Sequence, residues 1–274
     1  MRISVKFHLS FTFPELKDLW RSADHLGFEG IWDYDHFFGP SEFDEPTYEG
    51  WTTLAAMAAI TERSRIGCLV TGVTYRNPAV LAKMAVTVDH ISGGRLNFGI
   101  GAGWHEAEHR GYGITFPNPT SRVAMVDEAL TVIRKLWTEQ LVNFSGEFFT
   151  LADALCEPKP IQFPHPPIVI AGTGPKMLRL IARHADEWNM PAYDGPQLWG
   201  DVNARLDKAC AEVGRNPAEV RRSGQVPLHP AMAGQVDEQL ALLPEFEQLG
   251  CDHMVLAFRQ PPTLQLLERC AGLA

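Results

Sequence analysis

Three short motifs in this chain carry residue types that could bind a ligand or transfer a proton. Asp35-His36 could form an acid/base pair, because imidazoles change charge near neutral pH and a carboxylate can orient them. Gly172-Thr173-Gly174-Pro175 opens a predicted helix, where free N–H groups and the helix dipole favour a phosphate. Gly99-x-Gly101-x-Gly103 follows a predicted strand, but Trp104 stands where a dinucleotide fingerprint needs its last glycine. A Rossmann-type loop is therefore disfavoured, and a tight turn explains these glycines about as well as a ligand does.

A fourth motif, His105-Glu106-Ala107-Glu108-His109, matches the H-E-x-x-H pattern of zinc hydrolases. A zinc-binding helix must extend beyond its motif, whereas Gly111-Tyr112-Gly113 ends this one within a turn. We therefore predict no metal site, and we keep a zinc hydrolase built on His105, Glu106 and His109 as the remote alternative.

The elements around these motifs alternate between strand and helix. Arg65 to Val70 and Arg95 to Ile100 are short apolar runs typical of buried strands, and Asn77-Pro78 opens a helix that ends at Ser92-Gly93-Gly94 between them. Two buried strands joined by one helix predict a parallel βαβ unit. The same alternation predicts strands at 3–8, 30–32, 168–170, near 188, 221–226 and 253–257, and helices at 14–26, 51–61, 121–137, 175–184, 197–213, 237–249 and 262–270.

Eight strand–helix pairs favour a closed (β/α)8 TIM barrel, with an open doubly wound sheet as the alternative. Residues 138–167 break the rhythm and are interpreted as an insertion, so that 1–274 forms a single domain. In such a barrel, functional residues lie at the carboxyl ends of the strands. Those ends are polar or glycine-rich here, at His8, 35–36, 68–71, 101–105 and 172–174. The substrate pocket wall is expected from the insertion and the C-terminal loops.

Composition narrows the class of protein. The net charge of −9 is spread without blocks, which disfavours nucleic acid and membrane surfaces as partners. No apolar run is long enough to span a bilayer, and the N-terminus has no signal-peptide pattern. The five cysteines are scattered without a C-x-x-C, so neither a disulfide framework nor a zinc knuckle is indicated. We expect a cytoplasmic protein that acts on a small molecule.

Taken together and in order, these segments resemble the bacterial luciferase-like flavin enzymes, and more narrowly their deazaflavin-dependent oxidoreductases. The similarity extends over nearly the whole chain, and it is carried by 35–36, 51–55, 69–78, Asp89, 92–96, 101–108 and 185–189. The resemblance implies a TIM barrel with an insertion, usually a homodimer, that holds coenzyme F420 or FMN at its C-terminal mouth.

The resemblance also implies roles for individual residues. It places a non-proline cis peptide at Cys68-Leu69, counted back from Asn77-Pro78, and makes His36 the catalytic residue beside the ring with Asp35 orienting it or contacting the ring. The other residues expected to bind the cofactor are Cys68, Leu69, Val70, Thr71, Gly101, Ala102 and Gly103 at the ring, and Gly172, Thr173 and Gly174 at the phosphate. The Cys68 thiol itself is expected to be structural.

His8 and Trp104 are expected in the substrate pocket. Several relatives that oxidise sugar phosphates have a glutamate where this chain has Trp104. That replacement disfavours a sugar-phosphate dehydrogenase and makes the pocket more apolar.

The expected function is an F420-dependent oxidoreductase that moves a hydride between the deazaflavin and a small organic substrate. The nearest alternative is an FMN-dependent monooxygenase on the same barrel that uses reduced flavin and oxygen. A flavin-binding or storage protein without catalysis is a further alternative.

Overall fold

A computed structural model describes residues 1–39 and 45–273 of the chain. The strands follow one another as β1 Arg2–Phe7, β2 Gly30–Asp33, β3 Arg65–Cys68, β4 Thr71–Gly72, β5 Leu96–Gly101, β6 Val142–Ser145, β7 Thr150–Ala154, β8 Ile168–Ala171, β9 Glu187–Pro191, β10 Arg221–Leu228 and β11 His253–Phe258. The helices are α1 Phe13–Leu26, α2 Gly50–Ile60, α3 Pro78–Ile91, α4 Glu106–Tyr112, α5 Pro119–Thr138, α6 Pro175–His184, α7 Pro196–Glu212, α8 Gln235–Ala241, α9 Leu243–Gln248 and α10 Leu264–Ala271.

Parallel pairing closes the main sheet into a barrel. The strands lie in the order β3-β2-β1-β11-β10-β9-β8-β5, and β5 pairs back with β3 through Ile66 opposite Leu96 and Gly67 opposite Asn97. Every neighbouring pair in this ring is parallel, so all eight carboxyl ends meet at one mouth. The predicted (β/α)8 barrel is therefore confirmed, and the open sheet is wrong.

Strand alternation divides the apolar residues into two layers. Val5, Ile31 and Ile66 belong to the large core between the strands and the surrounding helices. A second cluster consists of Trp32, Leu69, Val169 and Val255 and comes from strands on different sides of the ring. Its members meet across the barrel interior, where they form an apolar floor beneath the mouth.

The third strand differs from its prediction. It was expected to run to Val70 with a cis peptide at Cys68-Leu69, but the cis peptide lies at Leu69-Val70. The N–H of Leu69 still donates to the carbonyl of Asp33 at 3.0 Å, so regular pairing with β2 continues through Leu69. The cis peptide is thus one residue later than predicted, whereas β3 ends at Cys68, before the predicted end at Val70, and pairing with β5 resumes at Thr71 in β4.

Two further segments refine the predicted pattern. The helix predicted over 237–249 is divided into α8 and α9, with Pro244 in the first turn of α9, where its missing N–H is tolerated. The insertion contains the antiparallel hairpin β6–β7. The buried carboxylate of Asp89 on α3 holds its far end by accepting the N–H groups of Ile161 and Gln162.

Within residues 1–39 and 45–273, no helix is both long and apolar enough to cross a bilayer.

Candidate active site

A cavity of about 390 Å³ opens at the mouth of the barrel, above the apolar floor. Its volume lies in the range of roughly 300–1,000 Å³ that is usual for small-molecule sites. Two groups of residues line it, and we name them by the charges they carry. The paired half comes from β2, the β3–β4 segment and the loop before α4, and comprises Asp35, His36, Leu69, Val70, Thr71, Gly72, Tyr75, Gly103 and Trp104. The cationic half comes from β1 and β9–β11, and includes Lys6, His8, Asn189, Gln225 and Arg259.

The two halves face each other across the barrel. In the closed ring of eight strands, β10 is four positions from β3, and β11 is four positions from β5. Gln225 on β10 and Arg259 after β11 are therefore opposite the segment from Leu69 to Gly72.

Asp35 is the first anchor of the paired half. Its buried carboxylate accepts two hydrogen bonds from the guanidinium of Arg76, one of them at 2.9 Å, and a third at 2.7 Å from the hydroxyl of Thr71. Arg76 also pairs with Glu49, which accepts the N–H groups that begin α2. Burial opposes the charge of Arg76, but the hydrogen bonds and charge of Asp35 raise its pKa. Asp35 is thus a charge that the protein itself neutralises.

The second anchor joins His36 to the fully buried carboxylate of Glu108 on α4. Nδ1 of His36 lies 3.0 Å from Oε2 of Glu108, and Oε1 accepts the N–H groups of Phe37 and Phe38 at 2.6 and 2.9 Å. The phenol of Tyr75 donates to the same carboxylate. Burial disfavours the charge of Glu108, yet the hydrogen bond and charge of His36, with the Phe38 and Tyr75 donors, lower its pKa to about 2.

The other ring nitrogen of His36 is available to a ligand. The side chain is 14% exposed, and among residues 1–39 and 45–273 its Nε2 has no hydrogen-bond partner. The indole of Trp104, which is 63% exposed, stands edge-on to the imidazole with 5.4 Å between ring centroids. An ionised carboxylate on Nδ1 and an open Nε2 are the arrangement that lets a histidine exchange protons with a ligand.

Small residues shape the wall behind Val70. A Cβ on Gly101 would lie 2.9 Å from a methyl carbon of Val70, and Gly103 has φ +74°, which favours glycine. A Cβ on Gly103 would also lie 3.0 Å from the hydroxyl of Thr74. These glycines keep the backbone of β5 close to the β3–β4 segment.

Burial lowers the pKa values of two basic side chains, Lys6 in β1 and His8 directly after it. Lys6 stands on the floor and donates to the amide oxygen of Gln225. Burial, followed by the charge of Arg259, lowers the pKa of Lys6 to about 7. His8 is 4% exposed, and burial, followed by the charges of Arg259 and Lys6, lowers its pKa to about 3. Nε2 of His8 is buried and has no hydrogen-bond partner within residues 1–39 and 45–273.

Comparison with known proteins assigns the family. The profile described as luciferase-like monooxygenase matches residues 3–257. This chain belongs to the luciferase-like monooxygenase family.

A phthiodiolone/phenolphthiodiolone dimycocerosates ketoreductase of Mycobacterium tuberculosis is 34% identical over 179 residues, which are 64% of this chain and 46% of the relative. The pyrimidine monooxygenase RutA of a Bradyrhizobium species is 33% identical over 214 residues, 75% of this chain and 58% of the relative.

The chain thus spans about half the length of these curated relatives. Among solved structures, an F420-dependent secondary alcohol dehydrogenase in complex with an F420–acetone adduct superposes with a TM-score of 0.83 at 19% identity. The superposition covers 100% of this chain and 98% of that one. At this identity the structural match shows a common fold, and the family profile shows the relationship.

The structure brings most of the sequence-predicted site residues of this luciferase-like protein to one cavity. Those that line it are His8, Asp35, His36, Leu69, Val70, Thr71, Gly103 and Trp104. Cys68, Gly101 and Ala102 do not line it: Cys68 is buried in the layer outside the barrel, and Gly101 in β5 lies behind Val70. Gly172, Thr173 and Gly174 lie just beyond the rim residue Ala171, at the exposed start of α6.

One expectation about the surroundings of the site needs revision, and the remote zinc alternative can be compared with the contacts of its histidines. None of the described lining residues belongs to 138–167, so the insertion does not form its expected part of the pocket wall. The C-terminal loops do contribute, through Tyr193 and Arg259, together with strands β9–β11. The H-E-x-x-H motif does not form a zinc site, because both ring nitrogens of His109 have partners, at Thr74 and the His105 carbonyl. In residues 1–39 and 45–273, no group of three His, Cys, Asp or Glu side chains is placed to hold a metal ion.

Sequence reasoning missed Glu108, Arg76 and Lys6. Glu108 was assigned to the zinc-like motif, and its partner His36 lies 72 residues away in the chain. Arg76 is in a loop with no pattern of its own. Lys6 did have a signal, since it interrupts the apolar strand Ile3 to Phe7, and a lysine in a buried strand needs a functional or structural reason.

Proposed function

We propose that this protein is an F420-dependent oxidoreductase that moves a hydride between the deazaflavin and a small organic substrate. The observation that carries the proposal is the open Nε2 of His36, with Nδ1 held by the ionised Glu108, at a ligand-sized cavity. The family assignment and the likeness to a ketoreductase and an F420-dependent alcohol dehydrogenase support this reaction class over others.

The residues of the paired half suit a flat tricyclic ring. Leu69, Val70 and Thr71 offer a surface of apolar side chains and backbone. The glycines of β5 lie behind this surface, and a Cβ on Gly101 would come too close to Val70. The start of α6 has no side-chain cap on its first N–H groups, so 172–174 could receive the anionic tail. When bound, the deazaflavin supplies the hydride chemistry, and the protein contributes position and charge.

The protein's own part in the reaction is proton transfer and alignment. Glu108 fixes the tautomer and orientation of His36, and Nε2 then takes the proton of an alcohol or returns it to the oxygen of a ketone. Asp35, tied to Arg76 and Thr71, holds the backbone that carries His36 in place. Trp104 covers the imidazole edge and reduces the access of water.

The cofactor assignment is tested by titrating the purified protein with F420 and with FMN. We expect F420 to bind with a micromolar or lower dissociation constant and FMN to bind more weakly. Micromolar binding of FMN with no binding of F420 would overturn the assignment.

The proton-transfer role is tested by His36→Ala. Loss of a positioned acid/base costs about 10²–10⁴-fold in rate, so turnover should fall by that order while F420 affinity changes little. Glu108→Gln should cause a loss of similar order. The double variant should lose little more, because the two side chains act as one unit. If His36→Ala loses F420 binding but keeps its single-turnover rate, His36 is a binding residue, and His8, His105 and His109 become the proton-donor candidates.

The likeness to a pyrimidine monooxygenase favours a second candidate, an FMN-dependent monooxygenase on the same cavity. It predicts substrate-dependent oxygen consumption with reduced FMN. The F420 proposal predicts instead that absorbance of the deazaflavin changes under anaerobic conditions with a carbonyl or alcohol substrate.

A further inference from the structure

We propose that the cationic half of the cavity binds the carboxylate of the substrate, so that the natural substrate is a small oxo- or hydroxycarboxylic acid. The inference deepens the proposed function and rests on it for the reaction, but the anion site is defined by this chain's own residues. Three groups make it up: the ammonium of Lys6, the guanidinium of Arg259 and the unpartnered Nε2 of His8.

Lys6 is held in place by a chain of hydrogen bonds that leaves part of its ammonium unused. It donates to the amide oxygen of Gln225, whose NH2 group donates to Asn189 at 3.3 Å, and Asn189 in turn donates to Ser223 at 3.0 Å. An ammonium has three donors, and one is used here. In the described part of the chain Lys6 forms no ion pair, so the cavity side of its ammonium is available to an anion.

Arg259 and His8 extend this surface toward the mouth. The contact of Arg259 with a side chain is a long hydrogen bond of 3.4 Å to the hydroxyl of Tyr193, and among residues 1–39 and 45–273 it forms no ion pair either. Nδ1 of His8 is satisfied at 2.7 Å by Ser10, whereas the buried Nε2 has no partner in the part of the chain that the structure describes. Two cations and one orphaned ring nitrogen thus line the same wall of the cavity.

The nearby carboxylates do not neutralise this wall. Asp35 is held by Arg76 and Thr71. Burial, reinforced by the charge of Asp35, raises the pKa of Asp33 well above its usual value, which favours the neutral form of this buried carboxyl. Glu45 approaches Nδ1 of His8 at 3.4 Å rather than Nε2, and it does not line the cavity. A protein of net charge −9 therefore keeps an unpaired positive region inside its cavity.

The position of Arg259, and of the Gln225 amide that holds the Lys6 ammonium, points to the substrate rather than to the cofactor ring. Gln225 and Arg259 lie across the barrel from the segment Leu69 to Gly72, against which the ring is proposed to lie. The ring and the substrate must share a cavity of about 390 Å³, which favours a small substrate. A carboxylate is the anionic group that fits a small carbonyl compound and accepts hydrogen bonds from both Lys and Arg.

The reaction balances for a 2-oxo acid. Its carbonyl carbon receives a hydride from the reduced deazaflavin, which loses two electrons and is thereby oxidised. Its carbonyl oxygen receives a proton from His36. The product is the 2-hydroxy acid, and the reverse reaction oxidises that acid. The carboxylate takes no part in these steps and remains bound to Lys6 and Arg259.

Binding of the acid should depend on pH through Lys6. The charged or titratable groups that act on it are Arg259, Cys68 and Asp33, and Gln225 accepts its hydrogen bond. Since the pKa of Lys6 is about 7 without a ligand, the ammonium is present below neutral pH and is lost above it. Affinity for a carboxylate should therefore decrease as the pH rises from 6 to 8.5, and Lys6→Met should flatten this dependence.

The test is calorimetric titration of 2-oxobutanoate and of its neutral analogue pentane-2,3-dione, into protein with and without oxidised F420. Inorganic phosphate is the third probe. The variants are Lys6→Met and Arg259→Gln. The matched controls are Lys208→Met and Arg63→Gln, which change exposed side chains away from the cavity. Hydrogen bonds to charged groups are worth about 10- to 100-fold in affinity.

We expect 2-oxobutanoate to bind at least about tenfold more tightly than the dione and than phosphate. Each cavity variant should remove that preference without weakening the dione, and the controls should leave it intact. Equal affinities for acid and dione would overturn the inference, as would tighter binding of phosphate. A loss of F420 affinity in the variants, with no selective loss for the acid, would place the cofactor on these cations. Failure of the wild type to bind F420 would instead contradict the proposed function. Selective binding of the acid by the cofactor-free protein would still support the anion site.

Discussion

Asp35 and Lys6 line one cavity from the ends of neighbouring strands, yet among the described residues only Asp35 has a partner of opposite charge. On the paired half, Arg76 holds Asp35 and His36 holds Glu108, so both carboxylates have a partner before any ligand arrives. On the cationic half, Lys6 and Arg259 have no carboxylate in contact among the described residues. The difference suggests a division of labour: one half is preorganised for a reaction, and the other is completed by its ligand.

Arg76→Met should have the largest effect on stability, because it leaves Asp35 without a partner of opposite charge, as Lys6 is among the described residues of the cationic half. Removing one partner of a buried ion pair leaves an uncompensated charge and costs about 3–5 kcal/mol in unfolding free energy. Asp35 is fully buried and would lose both guanidinium contacts. Urea denaturation measures the change. Arg179→Met, which breaks the exposed pair with Glu212, should cost less than about 1 kcal/mol. Equal costs would mean that Asp35 tolerates an unpaired state.

Lys6→Met should stabilise the protein, in contrast to Arg76→Met. The pKa of Lys6 is about 7 in the folded protein, below its ordinary value of 10.5. Between those values the unfolded state binds more protons, so wild-type stability rises with pH across this window. The variant has no such proton linkage. Its advantage should be about 2–4 kcal/mol at pH 6, discounted for the partial exposure of Lys6, and should shrink by pH 10. Thermal unfolding at several pH values measures this, and a pH-independent difference would show that Lys6 is not perturbed.

Thr173→Asp should have the smallest effect, and it tests whether the cofactor's phosphate lies outside both halves. A carboxylate beside a phosphate at the start of α6 should weaken F420 binding by about tenfold, whereas neutral Thr173→Asn should not. Fluorescence titration with F420 measures both variants. Unchanged affinity for Thr173→Asp would move the phosphate elsewhere, and Arg259 on the cationic half would then be the first candidate.

Much of the barrel could be predicted from sequence because it depends on local patterns. Alternation of apolar runs, the helix start at Asn77-Pro78 and glycines that stop helices identified all eight barrel strands near their observed bounds. The same patterns could not place the cis peptide to the residue. They also missed the break before Pro244, where a tolerated proline separates two helices.

Only part of the candidate site could be predicted from sequence, because several of its residues are defined by contacts between distant parts of the chain. Asp35-His36 stands out as a polar dipeptide at a strand end, but Glu108 and Arg76 are defined by contacts made far along the chain. Such partners have no local signature. Lys6 was overlooked although its position in a buried strand marked it, so a charged residue on the inward face of a predicted barrel strand is worth scoring as a site residue.

Gly99 is a position behind the wall of the cavity where the backbone leaves no room for a side chain. It sits in β5, and a Cβ built there would lie 1.9 Å from the carbonyl oxygen of Cys68, the residue that ends β3. The glycine pattern that resembles a nucleotide loop thus marks a place where two backbones touch. Evolution can vary the residues of β9–β11 one side chain at a time, but it can alter Gly99 only by rebuilding two strands together. Among homologues, substrate preference should therefore drift on one side of the cavity while the shape of the other stays fixed.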